Sequence, residues 1–235
     1  MDKETIEELN KSLQTKSPQD VLAYAISKYG DDLKIASSLG VEDQVLTHMA
    51  VSISKNVKVF VLDTGRLHQE TYDVLDLTKA ALSVNYEIFF PKNEKVEKMI
   101  RSKGVNSFYQ SIDNRKECCF IRKVEPLQRA LSNAKAWVTG LRRQQSVTRQ
   151  SLPVIEFDEA HNIVKLNPLA TWTELDVWNY VDQHNIPTNY LHKKGFPSIG
   201  CAPCTRAIKE GEDVRAGRWW WESPDQKECG LHIKK

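Results

Sequence analysis

The sequence predicts an α/β fold in which a mainly parallel sheet is covered by helices on both faces. Over roughly the first two-thirds of the chain, short apolar segments rich in β-branched residues alternate with segments whose apolar residues recur at helical spacing. This alternation is typical of βαβ units, whose strands run parallel. With 235 residues, 40% of them hydrophobic, the chain is long enough for one sizeable domain.

The first predicted helix shows both of its ends. In SPQDVLAYAISKYG, Ser17 is the expected N-cap, Pro18 lies in the first turn and Gly30 ends the helix. Three strand–helix units follow, in the order LKIASSL with EDQVLTHMAVSI, VKVFVLDT with LHQETYDVLDLTKAAL, and YEIFF with NEKVEKMIRSKG.

The later part of the chain departs from this repeat. AKAWVTGL is a further strand, and VIEFD with NIVKLNPL predicts a hairpin or an edge pair. The last helix, in TWTELDVWNYVDQHN, is expected to bury Leu175, Trp178 and Val181. We therefore predict one domain over residues 1–235, with an α/β core at about 31–185 and an irregular segment at about 186–235.

The charge balance excludes some classes of partner. The chain carries 33 basic and 31 acidic residues, a net charge of +2, which gives no sign of a nucleic-acid or membrane surface. The first residues, MDKETIEELNKSLQ, lack the apolar segment of a signal peptide, and no run reaches the ~18 apolar residues of a membrane span. We expect a cytoplasmic protein that binds neither nucleic acid nor membrane.

Three polar loops follow predicted strands, where ligands of parallel sheets bind. Backbone N–H groups and the dipole of the next helix favour an anion at such loops, although each loop taken alone is also an ordinary strand-to-helix turn. The candidate ligand-binding residues are Ser37, Ser38 and Gly40 in the first loop, Asp63, Thr64, Gly65 and Arg66 in the second, and Gly140 and Arg142 in the third.

The cysteine spacing is the most specific chemical signal. Cys201 and Cys204 have a spacing shared by zinc, redox and iron–sulfur sites. Cys118 and Cys119 are adjacent, and neighbours on a helix point about 100° apart, so both reach one tetrahedral zinc only with difficulty. An iron–sulfur cluster offers each thiolate a separate iron, which favours a cluster over zinc.

The fifth cysteine, Cys229, lies seven positions from the end in KECGLH. A thiol near a chain terminus is often inert. Neighbouring cationic side chains nevertheless lower a thiol pKa, and Gly230 gives the backbone freedom to move. Cys229 is thus a candidate nucleophile on a mobile tail.

The segment RAGRWWWE adds cations and aromatic bulk. Arg215 and Arg218 are three residues apart, and in a helix they would share a face and form an anion clamp. The segment Trp219–Trp221 is more often packing or interface than catalysis. It is compatible with a thioredoxin contact or a homo-oligomer contact, and the sequence does not decide between them.

Taken together, these segments resemble one family, the assimilatory sulfonucleotide reductases, and within it the iron–sulfur adenylyl-sulfate (APS) reductases of sulfate assimilation and cysteine biosynthesis. The resemblance covers roughly residue 35 to the end, and so many blocks in one order are far more specific than any single motif. The matching blocks are SSLGVEDQVL, LDTGRL, KECCFIRKVEPL, TGLRRQQS, GCAPCT, RAGRWWWE and ECGLH.

The resemblance implies a Rossmann-like fold of the adenine-nucleotide α-hydrolase type. It implies a 4Fe-4S cluster held by Cys118, Cys119, Cys201 and Cys204, with Cys229 as the nucleophile. The residues implied to contact the substrate are Lys123, Arg215, Arg218 and His232. It further implies reduction of APS to sulfite and AMP through an enzyme S-sulfocysteine, which thioredoxin resolves.

Three alternatives stay open at this point. Reduction of 3′-phosphoadenylyl sulfate (PAPS), alone or beside APS, is the nearest. A zinc-containing, ATP-dependent thiolation enzyme is more remote, because the loop SSLGVED lacks the SGGxDS-like pattern of ATP pyrophosphatases. A metal-stabilised binding module without catalysis is the third.

Overall fold

The computed structural model describes residues 3–146 and 149–223. Its helices are α1 (Lys3–Leu13), α2 (Pro18–Tyr29), α3 (Val41–Ile53), α4 (Gln69–Leu82), α5 (Asn93–Lys103), α6 (Ile112–Cys119), α7 (Glu125–Leu131) and α8 (Glu174–His184). Its strands are β1 (Leu33–Ser37), β2 (Val59–Leu62), β3 (Tyr86–Phe89), β4 (Ala136–Val138), β5 (Ile155–Asp158) and β6 (Ile163–Leu166).

One six-stranded sheet has the order β3-β2-β1-β4-β6-β5. Strand β1 pairs in parallel with β2 on one side and with β4 on the other, so that Ile35 lies beside both Val59 and Val138. Only β5 runs antiparallel, as the partner of β6 in a hairpin. The strand order reverses at β1, and the crevice beyond the carboxyl ends of β1 and β4 is where ligands of such sheets bind.

Alternate residues of the central strands enter two separate cores. In β4, Ala136 and Val138 pack into the core that contains α2, α3 and α8, whereas Trp137 packs into the core that contains α7. This is the period of two that a strand covered on both faces requires. The predicted α/β class, with helices on both faces of a mainly parallel sheet, is confirmed.

The ends of α2 follow from its sequence. The Ser17 side chain accepts a hydrogen bond from the Asp20 backbone N–H, Pro18 opens the helix, and Gly30 closes it with φ of 48°. This matches the prediction. The predicted apolar face of the last helix was partly wrong, because Leu175 in the first turn of α8 is 68% exposed and Val177 is buried in its place.

Helices α6 and α7 are joined by a π-helical turn at Phe120–Val124. The proline ring of Pro126 has no N–H and crowds the carbonyl four residues before it, that of Arg122, so the helical ladder has to widen there. The Glu125 N–H donates to the Phe120 carbonyl, five residues back. As a result, Lys123 lies in the widened turn directly after the cysteine pair that ends α6.

None of the helices in the described ranges is both long enough and apolar enough to cross a membrane.

The burial pattern predicts unequal costs for the same substitution on two helices. Leu22 on α2 is fully buried, whereas Leu77 on α4 is 58% exposed. Leu22→Ala should lower the free energy of unfolding by about 2–5 kcal/mol through lost burial and a residual cavity. Leu77→Ala should change it by less than about 0.5 kcal/mol. Urea unfolding of both variants checks this, and equal losses would contradict the packing described.

Candidate active site

A cleft of about 600 Å³ opens beyond the carboxyl ends of β1 and β4. Nine of the residues predicted to bind substrate line it: Ser37, Ser38, Gly40, Thr64, Lys123, Gly140, Arg142, Arg215 and Arg218. They come from three strand-end loops, from the π-helical turn and from the irregular segment after α8. The parallel register is what brings the loops to one edge of the sheet.

The loop after β1 is organised by a carboxylate. Asp43, in the first turn of α3, accepts hydrogen bonds from the Ser38 backbone N–H and from its hydroxyl, each at 2.6 Å. The Ser37 hydroxyl accepts a hydrogen bond from the Leu39 N–H, and the Ser38 hydroxyl accepts one from the Gly40 N–H. The N–H groups at positions 38 to 40 are therefore engaged within the protein rather than directed at a ligand.

The loop after β4 packs closely against α3. A Cβ placed on Gly140 would lie 2.3 Å from Asp43 Oδ1, so only glycine allows this approach. The Arg142 guanidinium donates to Glu42 Oε1 through Nε (3.0 Å) and through one terminal nitrogen (2.8 Å). The Arg142 charge is thus balanced by a carboxylate of the protein itself.

Of the loop between β2 and α4, Thr64 and Leu67 line the cleft. Asp63 is buried and accepts from the Gly65 N–H (2.7 Å) and the Tyr72 hydroxyl (3.0 Å), while Gly65 has φ of 67°. Arg66 donates to the Val105 carbonyl and stacks over the Phe108 ring. The structure does not bring Asp63, Gly65 or Arg66 into the lining of the cleft, and Arg66 lines a second cavity instead.

The second cavity collects four cysteines. Cys118, Cys119, Cys201 and Cys204 all line it, and none of them forms a disulfide. The Cys201–Cys204 segment is fixed by backbone contacts: the Ala202 N–H donates to the Arg66 carbonyl (2.8 Å), and the Trp219 N–H donates to the Cys204 carbonyl (3.0 Å). Two cysteine pairs more than 80 positions apart in the chain thus meet at one place.

Basic side chains surround these thiols. Those lining the cysteine cavity are Arg66, Arg115, Arg122, Lys123 and Arg218. Arg115 hydrogen-bonds Cys119, and the Arg122 charge acts to lower the pKa of Cys118, against the effect of burial. Such a shell stabilises negative charge on sulfur.

Burial and mutual proximity oppose ionisation of the free thiols. Burial, followed by the neighbouring sulfurs of Cys201, Cys119 and Cys118, raises the pKa of Cys204 to about 12. Burial likewise raises the pKa of Cys118, against the lowering effect of Arg122. Coordination by a metal deprotonates a thiol outright, and the surrounding cations are placed to stabilise the thiolates that would then form.

Four thiols that line one cavity are the kind of donor set that an iron–sulfur cluster uses. Within residues 3–146 and 149–223, no three His, Cys, Asp or Glu side chains converge tightly enough to hold one metal ion. Four thiols around a common cavity suit a cluster, because each binds a different iron atom. The residues present are therefore compatible with the cluster that the sequence resemblance implies.

The cleft and the cysteine cavity share a wall. Lys123 and Arg218 line both of them. Arg215 lines the cleft beside them, but the predicted helix through Arg215 and Arg218 is wrong, since a turn joins them and the Arg218 N–H donates to the Arg215 carbonyl. Arg218 itself pairs with Thr205 in an isolated antiparallel bridge, which ends the turn in place of a continuing helix.

Some lining residues carry no signal in the sequence. His192 lines the cleft, its Nδ1 lies 3.0 Å from the Phe196 carbonyl, and burial lowers its pKa. Glu42, which pairs with Arg142, is an ordinary helix-start acid by sequence. Only tertiary contacts reveal these roles. Cys229 and His232 lie outside the described residues.

The fold and the cleft define a class: an α/β protein with a cleft of nucleotide size, lined in part by cationic side chains, at the switch point of its parallel sheet.

Comparison with known proteins gives the family. Residues 32–207 match the phosphoadenosine phosphosulfate reductase domain. An adenosine 5′-phosphosulfate reductase of Burkholderia cepacia is 53% identical over 91% of this chain and 86% of its own. One from Allochromatium vinosum is 49% identical over 87% of this chain and 80% of its own. The chain therefore belongs to the phosphoadenosine phosphosulfate reductase domain family, as its motifs predict.

A solved structure agrees with the fold. The crystal structure of phosphoadenylyl-sulfate reductase from Candida auris, a phosphate complex, superposes with a TM-score of 0.76 at 33% identity. It covers 88% of this chain and 98% of its own. The adenine-nucleotide α-hydrolase-like fold is thereby confirmed.

The buried Asp43 carboxyl makes the folding stability of the protein depend on pH. Burial raises the pKa of this carboxyl from 3.8 to about 6, against hydrogen bonds from Ser38 that lower it. A pKa raised on folding contributes stability that is present at low pH and is lost as the pH rises through about 6. The wild type should therefore lose stability relative to Asp43→Asn between about pH 4 and pH 7.

Asp176→Asn is the matched control, because Asp176 also accepts from a backbone N–H and a hydroxyl, both of Thr173. Those bonds lower the pKa of Asp176. The stability of the wild type relative to Asp176→Asn should therefore increase as the pH rises from the acid end of the series. Urea unfolding across the pH series measures both, and the same sign for the two aspartates would contradict the account.

Proposed function

We propose that this protein reduces APS to sulfite and AMP in sulfate assimilation, through an S-sulfocysteine on Cys229. The observation that carries the proposal is the wall of Lys123 and Arg218 between the cleft and the four-cysteine cavity. A cleft at a parallel sheet edge suits the adenosine portion, and the cations suit the phosphosulfate group.

The relatives support APS as the substrate. Two proteins at about half identity over most of the chain are named adenosine 5′-phosphosulfate reductases. The family's domain name and the Candida auris enzyme favour PAPS as the second candidate. Both substrates require the same chemistry at sulfur and differ only at the ribose 3′ position.

The first step is nucleophilic. The Cys229 thiolate attacks the sulfur of the sulfate group, an S–S bond forms, and the bond from that sulfur to the phosphate oxygen breaks. AMP leaves with the electron pair of the broken bond. Attack by an anion on an anion is opposed by charge repulsion, which Lys123 and Arg218 at the shared wall and Arg215 beside it offset.

We further propose that Cys118, Cys119, Cys201 and Cys204 hold a 4Fe-4S cluster. The cluster supplies a fixed charge and a rigid scaffold when it is bound. The chain's own contribution is the placement of Lys123, which follows Cys119 by one helical turn and faces both cavities. On the thiol side of the same wall, Arg115 hydrogen-bonds Cys119, and Arg122 places a positive charge beside Cys118.

The second step needs an external reductant. If four of the five cysteines are ligands and Cys229 is the nucleophile, no cysteine remains to resolve the intermediate. A dithiol such as thioredoxin attacks the Cys229 sulfur, and sulfite leaves with the electron pair of the S–S bond. The second thiol of the donor then attacks the mixed disulfide and frees Cys229, so the donor ends as a disulfide. This chemistry suits the reducing cytoplasm.

Steady-state turnover with reduced thioredoxin tests the proposal. We expect kcat/KM for APS to exceed that for PAPS by at least about tenfold, and Cys229→Ser to abolish sulfite release. Ser223→Ala, in the same terminal segment, serves as the matched control and should retain turnover. Preference for PAPS would establish the second candidate, and activity retained in Cys229→Ser would overturn the proposed mechanism.

A further inference from the structure

A buried ion pair joins the cysteine helix to the segment that carries Arg218. Arg115 on α6 donates to Glu222 through Nε (2.9 Å) and through a terminal nitrogen (2.7 Å). The two side chains are only 1% and 3% exposed. Arg115 also hydrogen-bonds Cys119, one helical turn further on.

Next to this ion pair lies Trp219, a residue in a rare backbone conformation. Trp219 has φ of 40°, which is costly for a bulky side chain, and it is 1% exposed. Its ring is contacted by two guanidinium groups, with Arg115 Cζ at 5.1 Å and Arg218 Cζ at 4.7 Å from the ring centroid. Strain of this kind persists only where the surroundings hold it.

The turn fixes the direction of Arg218. The Glu222 N–H donates to the Trp219 carbonyl (2.8 Å), which closes the turn that starts next to Arg218. The Arg218 guanidinium then reaches the Ser198 hydroxyl (3.3 Å) and the Ile199 carbonyl (3.2 Å) at the wall of the cleft. A Cβ on Gly200 would lie 2.4 Å from this guanidinium, so the Arg218 side chain passes close against the Gly200 backbone.

We propose that Arg115 and Glu222 are positioning residues, which hold Trp219 in its left-handed conformation and thereby keep the Arg218 guanidinium in place for the sulfate end of the substrate. Neither residue lines the cleft. Their effect reaches the reaction through Trp219 and Arg218. The inference rests on the proposed function, since it gives Arg218 the phosphosulfate group as its ligand.

The physical argument is the cost of separating the pair. An ionised carboxylate and a guanidinium held away from water stabilise each other only while both are present and well aligned. Glu222→Gln leaves the Arg115 charge buried and without its carboxylate, so the turn that holds Trp219 should relax. The Arg218 guanidinium would then lose its contact with the Trp219 ring and its orientation toward the cleft.

Equilibrium binding to the anaerobic, metal-loaded protein tests this in a Cys229→Ser background, where the substrate binds without reacting. APS and adenosine are compared, because adenosine lacks the group that Arg218 is proposed to hold. Glu222→Gln should weaken APS binding about tenfold or more and leave adenosine binding within about twofold. Arg218→Ala should give the same loss, and the double variant should add nothing further.

Glu212→Gln is the matched control. Glu212 makes a two-nitrogen pair with Arg206 (2.8 and 2.9 Å) in the same segment, but the two side chains are 29% and 36% exposed. This variant should keep the parent's affinity for both ligands. The visible absorbance of the bound metal group and the unfolding midpoint report whether each variant is intact.

Three outcomes would overturn the inference: an unchanged APS affinity in Glu222→Gln, an equal loss for both ligands, or losses that add in the double variant. If Glu222→Gln does not fold, Glu222→Asp replaces it in the same experiment, because it keeps the negative charge but shortens the side chain. The same three outcomes would then overturn the inference. A parent that binds APS no more tightly than adenosine would instead contradict the proposed function.

Discussion

Parallel hydrogen bonding of β1 to β2 on one side and to β4 on the other is the constraint on which the site depends. Because the strands run in one direction, the loops that follow β1 and β4 open at the same edge, with Thr64 of the β2 loop beside them. The alternation of Ala136, Trp137 and Val138 between two cores holds these strands in register. A shift of the β4 register by one residue would move Trp137 into the opposite core and separate the loops of the cleft.

The π-helical turn connects this sheet edge to the cysteine cavity. Pro126 prevents a regular helix through Arg122, and the widened turn sets Lys123 between the cleft and the thiols. Arg218 reaches the same wall from the irregular segment, where its backbone pairs with Thr205. A π-helical turn and an irregular segment therefore supply the cations, and both segments also line the cysteine cavity. The proposed cluster and the substrate would share one electrostatic environment.

The sequence predicted the sheet and most helix ends because those depend on local pattern, as the N-cap at Ser17 and the glycine stop at Gly30 illustrate. The cysteine spacing favoured a cluster and the resemblance named its four ligands, but their convergence in one cavity follows from tertiary contacts such as that between Ala202 and the Arg66 carbonyl. The sequence wrongly predicted that Leu175 is buried, because helical periodicity does not show which part of a helix packs against the rest of the protein. Contacts such as Arg142 with Glu42, or Arg115 with Glu222, join residues about 100 positions apart, and no local signal encodes them.

The central claim is that four cysteines hold an iron–sulfur cluster against the wall of a sulfonucleotide cleft. Iron, acid-labile sulfide and zinc measured on protein purified without oxygen test it most directly. The account predicts about four iron and four sulfide per chain, as in a cysteine-ligated cubane, and their loss in Cys204→Ser but not in Cys229→Ser. Zinc without labile sulfide, or iron retained in Cys204→Ser, would contradict it.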